Sequence, residues 1–308
     1  MSKEPKGKNN NGLNLKMVRS FRDGLYQILG NEKKNGSNRI LLPAYIGLSL
    51  VEGSGILDPV TQSGFEFEFY KLGQELDPKA KDVLLKIDNF KPSVVLVVNY
   101  FGWDIANRKQ LFEQLKKQKV KIIEDDSHNL YKLHSFEKDI VRADYQIFSI
   151  HKTLGCENGG VVVSENEIPY IDETIDKFDL LSFASSNQNY IHKIRQENFF
   201  ELEKKLSTIK TNRHKSFFQA RKPSSPLNYP ILMINKEGRH KVYTTLIENN
   251  IFPTALYHRL IPNLEATDYP EAHDISNRIL NLPIHQDVSH NNLTKMAEIL
   301  TKFADSDF

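Results

Sequence analysis

Two apolar segments near the middle of the chain each end in groups that can do chemistry. The first, Lys121–Glu124, runs into Asp125 and Asp126. The second, Tyr145–Ile150, runs into His151 and Lys152. A lysine amine can condense with an aldehyde, and a carboxylate can keep a pyridine nitrogen protonated. Ligands of open α/β sheets gather at the carboxyl ends of strands. Asp125 and Lys152 delivered to that edge would therefore suit pyridoxal 5′-phosphate (PLP). Taken singly these features are weak. A Lys-Thr-Leu-Gly turn is more often solvated, and an acidic cluster after a strand is more often a cap or a turn. Their order gives them weight: strand, Asp125, His128, strand, Ser149, His151, Lys152, and then Gly159–Gly160 opening the apolar run Val161–Val163.

The flanking segments must position these groups. Met17, Phe21, Leu25 and Leu29 recur at helical spacing, and Ser20 can cap a helix start. Asn38–Leu50 reads as a strand entering a proline turn and then a helix start. Glu66–Leu72 alternates as a half-buried strand, and Ser93–Asn99 is a continuous apolar run, as in a fully buried strand. Ile105–Gln118 reads as a crossover helix to Lys121–Glu124, which favours a right-handed parallel unit. Beyond Ser164 the pattern weakens. Ile171–Ser185 is weakly helical, and Ile191–Ala220 is a long charged helical pattern. Lys222–Pro230 is a proline-rich break. Pro230–Asn235 and Asn250–Leu256 read as strands on either side of a helix, Gly238–Asn249.

IIEDDSHN followed by FSIHKTLGCENGGVVV resembles the DegT/StrS-type aminotransferases, PLP enzymes of fold type I that act mostly on nucleotide-linked keto-sugars. Their pattern is a strand ending Glu-Asp, a Gln or His three residues after that Asp, Phe-Ser-Phe, the lysine, and Glu-Gly-Gly before a strand. Tyr100-Phe101-Gly102 and the closing segment Arg278-Ile279-Leu280-Asn281-Leu282-Pro283 are similar to further elements of that family. The resemblance implies an α/β fold: a fold type I large domain over 13–220, with a mostly parallel sheet flanked by helices, and a smaller C-terminal α+β domain over 221–308. A disordered polar tail is expected over 1–12.

The resemblance also implies roles. Lys152 is the catalytic amine and Asp125 the partner of the pyridine nitrogen. His128 packs against the cofactor ring or its hydroxyl, or is a satisfied core histidine. Ser149 and His151 reach the phosphate, His151 alternatively capping the turn. The family's phosphate-binding helix start falls on Ser20, Arg22 and Asp23, where the acid is a departure. The family's ring-stacking aromatic, four residues after the proline, falls on Gly47, with Tyr45 two residues early. Asp126 is expected to be a solvated or capping carboxylate. The family's Gly-Tyr-Asn-x-Arg segment has no clear match, and Asn187, Asn189 and Tyr190 are poor candidates. The implied activity is transfer of an amino group from an amino acid, such as glutamate, to a keto-sugar in surface-polysaccharide or amino-sugar biosynthesis. The alternatives are another PLP chemistry, a dehydratase or an amino-acid-modifying enzyme, and a degenerate PLP-binding protein. A homodimer is implied, and the aromatic clusters Phe65–Tyr70 and Tyr100–Phe101 are surfaces it could cover.

Composition bounds these readings. The chain has 308 residues, 39% hydrophobic and 26% charged, as in ordinary globular proteins. A formal charge of +2 gives no global field for nucleic acid or an anionic membrane. One cysteine, Cys156, excludes an internal disulfide framework and a Cys-rich zinc site, and suits a reducing compartment such as the cytoplasm. No apolar run is long enough to cross a bilayer. No G-x-G-x-x-G follows a strand, which disfavours a Rossmann dehydrogenase, and the ten histidines lack paired metal-ligand spacing. No metal is expected.

Overall fold

The computed structural model describes residues 13–134, 142–166, 171–218, 221, 223 and 225–305, so the expected tail over 1–12 lies outside the described residues. In chain order the elements are β1 (Asn14–Val18), α1 (Phe21–Lys34), β2 (Arg39–Pro43), α2 (Leu57–Gln62), β3 (Glu66–Tyr70), α3 (Ala80–Phe90), β4 (Val94–Val98), α4 (Arg108–Lys117), β5 (Lys121–Asp125), β6 (Tyr145–Ser149) and β7 (Gly160–Ser164). Then follow α5 (Lys177–Ser185), α6 (Gln188–Leu206), β8 (His214–Ser216), β9 (Tyr229–Met233), α7 (Lys236–Glu248), α8 (Pro270–Arg278), β10 (Ile279–Leu282) and α9 (His290–Asp305).

β1 to β7 form one sheet in the order β1-β7-β6-β5-β4-β2-β3. The pairs among β2 to β6 are parallel, and β7 runs antiparallel to both β6 and β1. Parallel strands need helical crossovers, which cover both faces of the sheet. Hence β4, β6 and β7 are buried along their whole length. Each fully buried Val, Leu or Ile contributes roughly 1.5–3 kcal/mol, which fixes the register of the strands that carry the site. The mostly parallel sheet and its flanking helices match the expected fold class.

β10, β9 and β8 form a three-stranded antiparallel sheet. β8 precedes residue 221, so this sheet draws on chain from before the expected division. Several readings are corrected. Met17 lies in β1, because it pairs with Val161, and α1 starts only at Phe21. Residues 44–50, after Pro43, form no helix. They stay extended and bond instead to the segment around Leu260, through Leu48 N–H to Arg259 O and Ile261 N–H to Ile46 O. The helical pattern from Ile191 ends at Leu206. Asn250–Leu256 has no strand, only the bridge Thr254–Asn281. Phe65, Phe69, Tyr70, Tyr100 and Phe101 are buried within the chain, and half-buried Phe67 packs against the same core, so most of these clusters is covered without a partner.

Candidate active site

Strand alternation at the end of β5 and the residue after it sorts Glu124, Asp125 and Asp126. Asp125 faces a cavity of about 680 Å³, which Lys152 and Ser149 also line. Glu124 and Asp126 point to the opposite side, into a buried charge network. Arg108 grips Glu124 with Nε and Nη2 at 2.7 and 2.5 Å, and Gln146 Nε2 donates to it at 2.9 Å. Asn99 Nδ2 donates to Glu124 at 2.9 Å and to Asp126 at 2.6 Å. Asp126 is therefore a fully buried network acid, not the solvated or capping carboxylate expected of it. Asp104, Glu124 and Asp126 converge as a metal site would, but the Lys132 ammonium sits among them at 2.7, 3.0 and 3.2 Å. Burial alone would raise the Glu124 pKa, yet Lys132 and Arg108 hold it well below the carboxylate range.

On the cavity side, burial pushes the Asp125 carboxyl up, with Lys152 opposing. Asp125 Oδ1 accepts the Ser127 N–H at 2.8 Å. Lys152 stands at the end of β6, and burial pulls its amine below the ordinary lysine value, with Asp125 opposing. Lys152 Nζ lies 3.1 Å from His128 Nε2. His128 is buried, and its Nδ1 accepts the Phe101 N–H at 2.9 Å. Burial, followed by the charge of Lys152, draws its pKa well below the ordinary value. Phe101 itself sits in the left-handed region (φ 60°), a conformation that costs energy for a non-glycine and aims this N–H. Gly102 follows it, and a Cβ there would meet Ser225 O at 2.0 Å.

The start of α1 closes another wall. Ser20 caps the helix, its Oγ accepting the Asp23 N–H at 3.1 Å. Ser20, Phe21 and Arg22 line the cavity. Asp23 does not. Its carboxylate accepts from Gln27 Nε2 and Thr174 Oγ1, which turns it away. Arg22 is tied to the turn opposite, its Nη2 donating to Glu52 O at 2.6 Å. Gly160 lets this wall form: a Cβ there would lie 2.9 Å from Ser20 C and 3.1 Å from Phe21 N. Ser149, fully buried, has its Oγ 3.1 Å from Nδ1 of the exposed His151. A hydroxyl, an imidazole and a helix N-terminus thus converge, a donor set suited to an anion.

Tyr45 does not reach the cavity. It is buried between Tyr100 and Tyr257, with ring centroids at 5.5 and 5.2 Å. Besides Phe21 of α1, the cavity wall carries the aromatic Tyr257, which nothing in its local sequence marks. A Cβ on Gly47 would lie 2.5 Å from Tyr257 Cδ1, so the ring fills the space that a side chain at 47 would take. Tyr257 also has φ 62°. The absence of an aromatic at Gly47 was the one signal that another ring had to be found.

No protein-family model matches the chain. Over 182 residues it is 29% identical to a UDP-4-amino-4,6-dideoxy-N-acetyl-beta-L-altrosamine transaminase of Campylobacter jejuni subsp. jejuni serotype O:2. That match covers 54% of this chain and 47% of the relative, so it spans about half the length of either protein. Helicobacter pylori PseC, an aminotransferase involved in the biosynthesis of pseudoaminic acid, superimposes with a TM-score of 0.73 at 16% identity, over 96% of this chain and 87% of that one. A DegT DnrJ EryC1 StrS aminotransferase from Brucella abortus superimposes at 0.71 with 14% identity, over 95% and 86%. The chain thus has the fold of these aminotransferases. Within that fold, Lys152 and Asp125 share one cavity with the helix start at Ser20–Arg22. Among the described residues, no helix is long and apolar enough to cross a membrane.

Proposed function

We propose that this chain is a PLP-dependent aminotransferase that moves an amino group from an amino acid, with glutamate the leading donor, to a keto-sugar carried on a nucleotide. The reaction would serve amino-sugar or surface-polysaccharide biosynthesis. The observation that carries the reading is a lysine amine with a depressed pKa facing a buried carboxylate across one cavity. The residues present fit PLP. Asp125, buried on the cavity wall, suits a pyridinium N–H. The amides at the start of α1, with Ser149 and His151, suit a phosphate. Tyr257 offers a ring to a flat ligand. When bound, PLP supplies an aldehyde and an electron sink. Lys152 would hold the cofactor covalently and would act as the base that moves a proton at the substrate carbon. Asp125 would keep the ring nitrogen protonated, and His128 would orient the Lys152 amine. The sugar class rests on the similarity to transaminases of UDP-linked sugars.

The reading includes a homodimer. Leu50 and Val51, in the turn beside the cavity, are 80% and 93% exposed, and Phe178 and Leu181 on α5 are 80% and 64% exposed. A two-fold partner would cover such apolar groups symmetrically.

The experiment is direct. Purified protein is reduced with borohydride in the presence of PLP, and the labelled peptide is mapped. Label on Lys152, and its loss in Lys152→Ala, is expected; label on another lysine would overturn the reading. L-glutamate should then change the cofactor absorption and release 2-oxoglutarate, and a UDP-linked 4-keto-sugar should restore the starting spectrum.

A further inference from the structure

β5 ends at Asp125, and the chain then turns away from the sheet. Asp126 N–H donates to Ile147 O of β6 at 2.9 Å, and Asn129 N–H closes a turn onto Asp126 O at 2.8 Å. Ser127 sits inside that turn and gives its N–H to Asp125 Oδ1 at 2.8 Å. Ser127 is only 3% exposed and lines the cavity of Asp125 and Lys152. Its Oγ has no hydrogen-bond partner among the described residues. A buried hydroxyl left unpaired costs stability, and such groups are rare. An orphan on a cavity wall therefore calls for a role in the site.

Asp125 needs a donor of this kind. Burial raises its carboxyl toward the neutral form; Lys152 opposes that most, followed by the hydroxyl and then the N–H of Ser127. The support from Lys152 is weak, because burial draws that amine toward its own neutral form. The other titratable groups on this side add no positive charge. Burial holds His128 well below its ordinary value, lowers His151, and raises Tyr100 and Tyr257. Arg19, Arg22 and Glu52 line the same cavity, with Arg22 committed to Glu52 O. We propose that Ser127 is a positioning residue for Asp125: its hydroxyl turns onto the carboxylate as a second donor beside its N–H, so that Asp125 meets the ring nitrogen of PLP as an anion. This deepens the aminotransferase reading above and rests on it. A carboxylate that accepts two or three such bonds is held well below the pKa of an unbonded one. A neutral carboxyl could not hold the ring nitrogen as a cation.

The test compares wild type, Ser127→Ala and Ser127→Cys, whose thiol is a weaker donor. Aspartate is isotope-labelled at the side-chain carboxyl carbon, and the PLP-free protein is titrated by NMR, with Asp125→Asn identifying the signal. The Asp125 midpoint should rise by roughly one unit or more in Ser127→Ala, and by less in Ser127→Cys. With PLP labelled at the ring nitrogen and loaded into the protein, the nitrogen signal of Ser127→Ala should move toward that of unprotonated pyridine. Its limiting rate with L-glutamate should fall about tenfold, with the half-saturating donor concentration changed by less than twofold. An Asp125 midpoint equal in wild type and Ser127→Ala would overturn the proposal, and weaker PLP retention alongside it would place the hydroxyl on the cofactor instead. If Ser127→Ala does not fold, Ser127→Cys decides: a raised midpoint supports the proposal and an unchanged one overturns it. Failure of wild type to take up PLP would strike the aminotransferase reading itself, and the titration would still report on Ser127.

Discussion

The Nε2 of His128 and the Nζ of Lys152 lie 3.1 Å apart, and the far side of the imidazole fixes what that contact is. The Phe101 N–H donates to His128 Nδ1, so Nδ1 carries no hydrogen. The ring hydrogen is therefore on Nε2, and it donates to the lysine. An amine that accepts a hydrogen bond is neutral. The contact thus favours the neutral, nucleophilic form of Lys152, the direction in which burial also shifts it.

This sets a pH dependence. The Lys152 pKa is lowered by burial, so the neutral fraction grows as pH rises and levels off at a lower pH than for a free lysine. The rate at which PLP-free protein captures PLP should follow that curve. A hydrogen bond to the neutral form is worth on the order of 1 kcal/mol, so His128→Phe should move the midpoint up by roughly one unit. His128→Gln, which can donate, should move it less. A midpoint that is the same in all three proteins would show that the contact has no effect on the amine.

Asp125 and Asp126, adjacent in sequence, should separate cleanly on mutation. Asp125→Asn should lower amino transfer by two orders of magnitude or more, since a lost electrostatic partner of this kind is worth roughly 3–4 kcal/mol in the transition state, with the urea midpoint almost unchanged. Asp126→Asn should destabilise the fold by about 1–3 kcal/mol, because it breaks a buried network around Lys132. Urea melts and turnover assays on both variants check the assignment. Turnover loss in Asp126→Asn alone would shift the cofactor's partner by one position.

Tyr257 should help to retain the cofactor. Stacking beyond simple burial is worth about 0.5–1.5 kcal/mol, so Tyr257→Leu should release PLP several-fold more readily on dialysis, and Tyr257→Phe should not. Gly47→Ala forces a Cβ into the Tyr257 ring and should mimic Tyr257→Leu. Equal retention in all of these proteins would remove the ring from the site.

Phe178→Ser with Leu181→Ser should yield monomer at micromolar concentration by light scattering, if α5 lies in the dimer contact. Wild type that is already a monomer and still transaminates would sink the dimer.

Asp125 and Lys152 were legible in the sequence because each ends a short apolar strand whose type and end are local signals. Ser20 was legible as a helix cap for the same reason. Asp126 was misread because the groups that bond it, Asn99, Lys132 and Gln146, come from three separate stretches of chain. Tyr257 left no local trace either. It follows a stretch without strand or helix, and it gains meaning only from what packs against it.

The edge of the large sheet pairs the first strand with the last. Met17 lies opposite Val161, and the Gly160 that ends this ladder also abuts Ser20 and Phe21. A ribosome makes roughly 5–20 residues per second, so Ser20 waits many seconds for the strand that places it. Contacts so distant along the chain form late and slowly. The wall suited to the phosphate is therefore absent from a nascent chain, and it appears only when synthesis has passed Ser164. On the proposed function, cofactor loading would follow completion of the sheet.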